Sequence, residues 1–315
     1  MQNDIPILSL SEYMSQDEFA KNKFSHNLGE AFSNYGFVII KNSGVSRELI
    51  NDFFKVADQF FKLDVEIKNR YKKAGVSGQR GYVSFGTEHA KQSDQPDLKE
   101  FFQFGQESTD DYQGESYPEN VIVDDVPDFY KKGMELYRAF ENAGDYLLEA
   151  IASYLGLDKD YFKKFTLNGS SILRAIYYPP ITKEPGSALR SESHEDINLI
   201  TLLVGASAGG LQVLDKTGKW LNALPGEDEM VINVGDMLQR LTNNKLKSTT
   251  HRVVNPPKEK WGTERFSIPF FLHPVSEMDL SCLPQCVSSD DPAAFEPITA
   301  GEYLDERLRE IGLKS

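Results

Sequence analysis

Cysteine is nearly missing from this chain, with only Cys282 and Cys286 among 315 residues. A small secreted domain held together by disulfides normally carries more. Their spacing is not C-x-x-C, so they read as two reduced thiols rather than a redox pair. Positive charge is also scarce: 34 Lys and Arg stand against 48 Asp and Glu, a formal net charge of −14. Such a surface repels phosphate backbones and anionic lipid, which argues against nucleic-acid and membrane-surface partners. It does not decide what enters a pocket, where local charge can oppose the global sign. Long apolar runs are lacking too. The most apolar stretch, residues 199–214, is broken by Gly205, Gly209 and Gly210, so no membrane span is expected. The opening MQNDIPILSL lacks the basic-then-apolar pattern of a signal peptide, and the expected location is cytoplasmic. No internal repeat or low-complexity tract is present.

What is present fits a globular protein with a large core: 40% hydrophobic and 26% charged residues. The first half reads mainly as helical. Residues 4–10 form an edge strand. Phe19, Phe24, Leu28, Ala31 and Phe32 recur at helical spacing over residues 17–35. Gly36 breaks that helix, and residues 37–40 (FVII) read as a buried strand. Ser46 is placed to cap a second helix with Leu49, Ile50, Phe53, Phe54, Ala57, Phe60 and Phe61 on its apolar face. Residues 75–86 are a glycine-punctuated loop region. A third long helix opens at Val126–Pro127–Asp128 and ends near Gly156. From Ser170 the texture changes to short apolar runs between turns: SILRAIYY, INLITLLVG, LQVLD, KWLNAL, MVINVG, STTHRVV and RFSIPFFL. Strands at that spacing indicate a sandwich or barrel. A surface loop at 290–297 and a final amphipathic helix at 299–311 complete the chain.

Chemistry concentrates in the second half. His194 and Asp196 precede the apolar run INLITLL and, at i and i+2 of a strand, project to one face, with Glu195 pointing away. The H-x-D triplet alone is weak evidence. His251, in STTHRVV, is the candidate third ligand. Two imidazoles and one carboxylate make a facial triad with open positions, which suits Fe(II). Arg265 and Ser267 share a strand face further on. A guanidinium and a hydroxyl together grip a carboxylate, and a buried arginine needs an anionic partner that a bound dicarboxylate would supply.

With these motifs the chain resembles the isopenicillin N synthase-like branch of the 2-oxoglutarate/Fe(II)-dependent oxygenases. The resemblance runs through YGFVIIKNSGV and DLKEFFQFG in the first half. In the second it covers LRAIYYPP, HEDINLITLLV, GGLQVLD, the HRV of STTHRVVNPP and the R-x-S of RFSIPFFLHP. It implies an α+β fold: a double-stranded β-helix, or jelly roll, with a helical N-terminal region packed on it. The expected divisions are 1–120 (helical and strand region), 121–165 (bridging helix), 166–280 (jelly-roll core) and 281–315 (C-terminal loop and helix). The resemblance implies that His194, Asp196 and His251 hold Fe(II). Arg265, Ser267 and Tyr178 match the grip on the distal carboxylate of 2-oxoglutarate. Ile176 stands where many relatives have Asn, and Asn198, on the face of the metal pair, is the candidate substitute. The implied activity is oxidation of a small-molecule C–H bond with O2, by hydroxylation, desaturation or ring closure, coupled to conversion of 2-oxoglutarate to succinate and CO2.

Three rivals remain at this point: an oxidase of the same branch that needs no 2-oxoglutarate, a silent binding module, and a structural zinc site. Structural zinc is usually sulfur-rich, and both cysteines lie outside the triad segment. Arg80, Tyr82, Arg190 and Phe271 are the candidate substrate contacts; a pocket-facing Arg80 or Arg190 would favour a carboxylate-bearing substrate. His26 reads as surface, His89 as near the site entrance and His273 as structural.

Overall fold

The computed structural model describes residues 5–88, 95–108, 114–205 and 209–310. Strand β1 (Ile7–Ser9) runs into the short helix α1 (Leu10–Met14) and then α2 (Glu18–Asn34). The Asp17 carboxylate caps α2 by accepting from the amides of Phe19 and Ala20. Gly36 ends the turn after α2 at φ 69°, and a Cβ there would lie 2.3 Å from the Lys247 carbonyl oxygen. Only glycine meets both conditions without strain. Then follow β2 (Phe37–Lys41), α3 (Arg47–Phe61) behind its Ser46 cap, α4 (Val65–Asn69), β3 (Gly81–Val83) and β4 (Glu100–Gly105). The 27-residue α5 (Asp128–Tyr154) and the short α6 (Lys163–Thr166) lead to the second half. It comprises β5 (Ile172–Tyr178), β6 (Ser191–His194), β7 (Ile200–Val204), β8 (Leu211–Leu214), β9 (Trp220–Asn222) and β10 (Glu229–Val234). Helix α7 (Asp236–Leu241), β11 (His251–Val253), β12 (Arg265–Leu272) and α8 (Ala300–Glu310) complete it.

The strands form two sheets. The larger has eight strands in the order β1-β2-β10-β7-β12-β5-β4-β3, and the smaller has four, β6-β11-β8-β9. The first half is therefore not simply a helical layer: its four strands supply both edges of the larger sheet. Each strand of that sheet alternates between two destinations. Phe266, Ile268, Phe270 and Leu272 of β12 pack with Phe53, Phe60 and Phe140 of α3 and α5 in the main core. So do Leu173, Ala175 and Tyr177 of β5 and Phe102 and Phe104 of β4. Burying one such aromatic is worth about 1.5–3 kcal/mol, so this face holds the helices to the sheet. The opposite face meets the smaller sheet. Phe37, Ile39 and Val231 there pack against Leu211, Val213, Leu221 and Val253. Two facing, mainly antiparallel sheets joined this way are a jelly roll, and the space between them is where Arg265, Ser267 and Phe271 point. Among the described residues no helix is long and apolar enough to cross a membrane.

Candidate active site

His194 is the last residue of β6, and β11 brings His251 directly opposite it in the ladder. Asp196 is not on the strand; it sits in the turn before β7, where its backbone carbonyl accepts from the Asp236 amide. The three side chains nevertheless converge. Their ligand atoms lie within 4.8 Å of one another, with Nε2 of each histidine 3.9 Å from Oδ1 of Asp196. No other such cluster is found among the described residues.

The surroundings prepare each group. His194 Nδ1 lies 2.7 Å from the Glu192 carbonyl oxygen, and His251 Nδ1 lies 3.2 Å from that of Thr249. A carbonyl can only accept, so Nδ1 carries the proton and Nε2 keeps its lone pair for a metal. Burial and the nearby His194 push the His251 pKa down to about 4, leaving it neutral. Burial alone would raise the Asp196 carboxyl. His251, His194 and the donors Thr201 and Asn233 outweigh it and hold the group below its ordinary value. Thr201 Oγ1 donates to Asp196 Oδ2 at 2.6 Å and Asn233 Nδ2 donates at 2.8 Å, so Oδ1 is left to face the histidines. Two imidazoles with Nε2 left free and one oriented carboxylate are a donor set that fits divalent iron and is poor in sulfur for structural zinc. Both cysteines are free and lie elsewhere, Cys282 beside the Arg240 carbonyl.

A cavity of about 980 Å³ opens onto His194 and Asp196. Its inner wall holds a chain of ion pairs. Lys99 Nζ is 2.7 Å from Glu88 and 2.8 Å from Asp97, and Arg174 Nη1 is 3.2 Å from Glu88. The Arg174 guanidinium lies 4.2 Å from the Phe101 ring centroid and 5.2 Å from that of Phe271. Helix α8 adds Leu304, Arg307 and Leu308 to the wall.

The other sequence candidates separate. Arg265, Ser267 and Tyr178 are all buried and share the barrel-facing side; Arg265 pairs with Tyr178 in register, its guanidinium 4.7 Å from the ring centroid. Phe271 lines the cavity, on the same face. Tyr82 reaches the cavity edge, but its ring packs on Phe60 in the main core and its hydroxyl donates to Glu100. Arg80 does not line the cavity. Its guanidinium is buried and donates to the carbonyls of Gln79, Gln106 and Pro118, in a space where Gly105 has no side chain. Arg190 does not line the cavity either: it is 1% exposed, beside Tyr178 and Arg265. Asn198 spends its amide nitrogen on the Ile200 carbonyl and Thr201 Oγ1, buttressing the turn that carries Asp196. His26 is exposed, His273 is buried and lines the cavity, and His89 lies outside the described residues. Sequence reasoning missed Thr201, Asn233 and the Glu88–Lys99–Asp97–Arg174 chain. A polar Asn inside the apolar strand MVINV was a signal for the second of these.

Two family models match the chain. One, described as the non-haem dioxygenase in morphine synthesis N-terminal region, covers residues 5–125; the other, the 2OG-Fe(II) oxygenase superfamily, covers 169–274. A 2-oxoglutarate-Fe(II) type oxidoreductase from Emericella nidulans is 32% identical over 310 residues, spanning 95% of this chain and 88% of its own. A crystal structure of a 2OG-Fe(II) oxygenase family protein from Caulobacter crescentus is 42% identical, with a TM-score of 0.88 over 98% of this chain and all of that one. A full-length Neurospora crassa protein, crystallised with alpha-KG (2-oxoglutarate), is 30% identical with a TM-score of 0.86, covering 98% of each chain. The jelly roll, the histidine–aspartate–histidine cluster and these likenesses agree: the chain belongs to the 2-oxoglutarate/Fe(II)-dependent oxygenase superfamily.

Proposed function

We propose that His194, Asp196 and His251 hold the Fe(II) of this 2-oxoglutarate-dependent dioxygenase, and that it oxidises a C–H bond of a small polar molecule in the cavity beside them. The observation that carries this reading is the triad itself, prepared on the ligand side and open to a cavity. Iron bound there, with O2 and 2-oxoglutarate, supplies an oxidant for a C–H bond while the co-substrate leaves as succinate and CO2. The chain's own residues bind and orient. Arg265, with Ser267 and Tyr178, receives the distal carboxylate of 2-oxoglutarate in a dry interior, where a charge-assisted hydrogen bond is strong. Phe271 and Arg174 form one wall for the substrate, and α8 closes another.

The substrate's charge follows from what the wall already contains. Lys99 and Arg174 are paired with Glu88 and Asp97, and Arg307 with Glu310, while Lys72 and Lys73 in the lining are matched in number by Glu195 and Asp236, so the wall is close to neutral. Neither Arg80 nor Arg190 reaches the cavity to meet a substrate carboxylate. A polar but uncharged group is therefore the better match. Two further structures of the Neurospora crassa protein hold thymine and 5-formyluracil, which are neutral polar rings.

The test is succinate release. The full chain with Fe(II), 2-oxoglutarate and O2 is screened against neutral heterocycles, amino acids and small carboxylic acids. Neutral ring compounds are expected to stimulate succinate formation in step with their own loss, and His194→Ala to abolish it. Substrate loss without succinate would point instead to the 2-oxoglutarate-independent oxidases. Stimulation confined to carboxylic acids would overturn the charge argument.

A further inference from the structure

Two guanidinium groups approach one phenol ring inside the barrel. The Cζ atoms of Arg190 and Arg265 lie 6.0 and 4.7 Å from the Tyr178 ring centroid, and both residues are 1% exposed. Arg190 makes one hydrogen bond, from Nη2 to the Thr263 carbonyl oxygen at 2.8 Å, which ties it to the backbone just ahead of Arg265. Its Nε and Nη1 are buried and have no hydrogen-bond partner. Among the described residues no carboxylate pairs with it.

That arrangement is unfavourable as it stands. A buried cation with unfilled donors is costly, and a second cation nearby adds repulsion. Burial first, and the Arg265 charge second, pull the Arg190 guanidinium below its ordinary pKa. The contact with Tyr178 does not compensate. At 6.0 Å it is at the outer limit of a cation–π interaction, and it fills no hydrogen-bond valence. An anion placed between the two arginines resolves all three problems together.

We infer that Arg190 is a second cation of the co-substrate pocket and, with Arg265, clamps the distal carboxylate of 2-oxoglutarate. The inference rests on the reading above that Arg265 receives that carboxylate. A carboxylate has enough lone pairs to accept from both guanidinium groups and from Ser267. Arg190 is then a binding residue for the co-substrate, not for the substrate. The clamp also selects: a 2-oxo acid without the distal carboxylate leaves the buried Arg190 donors unfilled.

The test compares two ligands on the full chain loaded with Mn(II) and kept without oxygen. Calorimetry measures binding of 2-oxoglutarate and of 2-oxobutyrate, which lacks the distal carboxylate. Arg190→Met is expected to weaken 2-oxoglutarate roughly ten- to hundredfold, the loss of one charge-assisted contact, and to leave 2-oxobutyrate unchanged. Arg190→Lys should recover part of the loss. Without ligand, Arg190→Met should melt no lower than wild type, because a like charge has been removed, while the stabilisation given by 2-oxoglutarate shrinks. Should Arg190→Met not fold, Arg190→Gln keeps a donor for the Thr263 carbonyl and permits the same comparison. Wild-type 2-oxoglutarate binding in these variants, or equal weakening of both ligands, overturns the inference. If Arg265→Met also binds 2-oxoglutarate normally, the reading of Arg265 has failed, and the clamp with it.

Discussion

Replacing Asn233 by Leu removes one of the two donors that fix the Asp196 carboxylate while keeping the same number of side-chain heavy atoms. Asn233 is buried on β10, and its Nδ2 lies 2.8 Å from the same Oδ2 that accepts from Thr201 at 2.6 Å. A hydrogen bond to a charged group contributes about 1.5–3 kcal/mol. At about 1.4 kcal/mol per factor of ten, its full loss would weaken metal binding about ten- to hundredfold. That is also the range for groups that orient metal ligands. The metal-free protein shares part of the cost, because the carboxylate loses the same donor there. The expected effect on Fe(II) affinity is therefore near the lower end, about tenfold. Anaerobic competition against a chromophoric chelator measures it, with circular dichroism to verify folding. Thr201→Val should act similarly. The double variant should lose less than the product of the two, since both donors serve one oxygen. A folded Asn233→Leu protein that binds iron as tightly as wild type would refute the claim that this amide orients Asp196.

Two further predictions concern pH. Burial pushes the His273 pKa down to about 4, partly offset by Asp196, whereas the unfolded chain titrates near its ordinary value of about 6.5. The unfolded state thus binds more protons between those values. Stability is full above about pH 6.5 and is lost as the pH falls towards about 4, with a slope of up to about 1.4 kcal/mol per pH unit from this residue. His273→Phe should flatten the urea-derived stability profile of the metal-free protein by about that amount within the window; an unchanged slope counts against it. Glu141 on α5 behaves oppositely, pushed up to about 7 by burial and by Asp145. Its contribution is present at low pH and is lost as the pH rises through about 7, so Glu141→Gln should stabilise the protein by about 1–2 kcal/mol near pH 8 and little near pH 5. No gain near pH 8 would show that this helix face tolerates the charge.

Much of the architecture was legible because periodicity reports burial. The runs from Ser170 onward became strands, and the helices capped by Asp17 and Ser46 formed where expected. The edge contribution of β3 and β4 was not legible. β3 is three residues long inside a glycine-rich stretch, and β4 is buried along its whole length, so neither shows a half-exposed alternation. The convergence of His194, Asp196 and His251 follows from strand pairing, although Asp196 lies past the end of its strand. The arginines were harder. Both Arg80 and Arg190 were expected as substrate contacts, and neither lines the cavity. What fixes them is distant in sequence: the Pro118 and Gln106 carbonyls for one, Tyr178 and Thr263 for the other.

The two-faced strands of the larger sheet have a consequence for how this enzyme can change. Along β12, Arg265, Ser267 and Phe271 face the barrel interior while Phe266, Ile268 and Phe270 fasten the helices, so two sets of instructions are interleaved in one segment. Inserting or deleting a single residue exchanges the sets: the arginine is driven into the aromatic core and a phenylalanine into the barrel interior. Such a lesion removes stability and chemistry together, and no second substitution nearby restores either. New specificities are therefore reached by routes that leave the frame of these strands intact, through Arg174, Phe271 and the α8 residues Leu304, Arg307 and Leu308 that enclose the cavity.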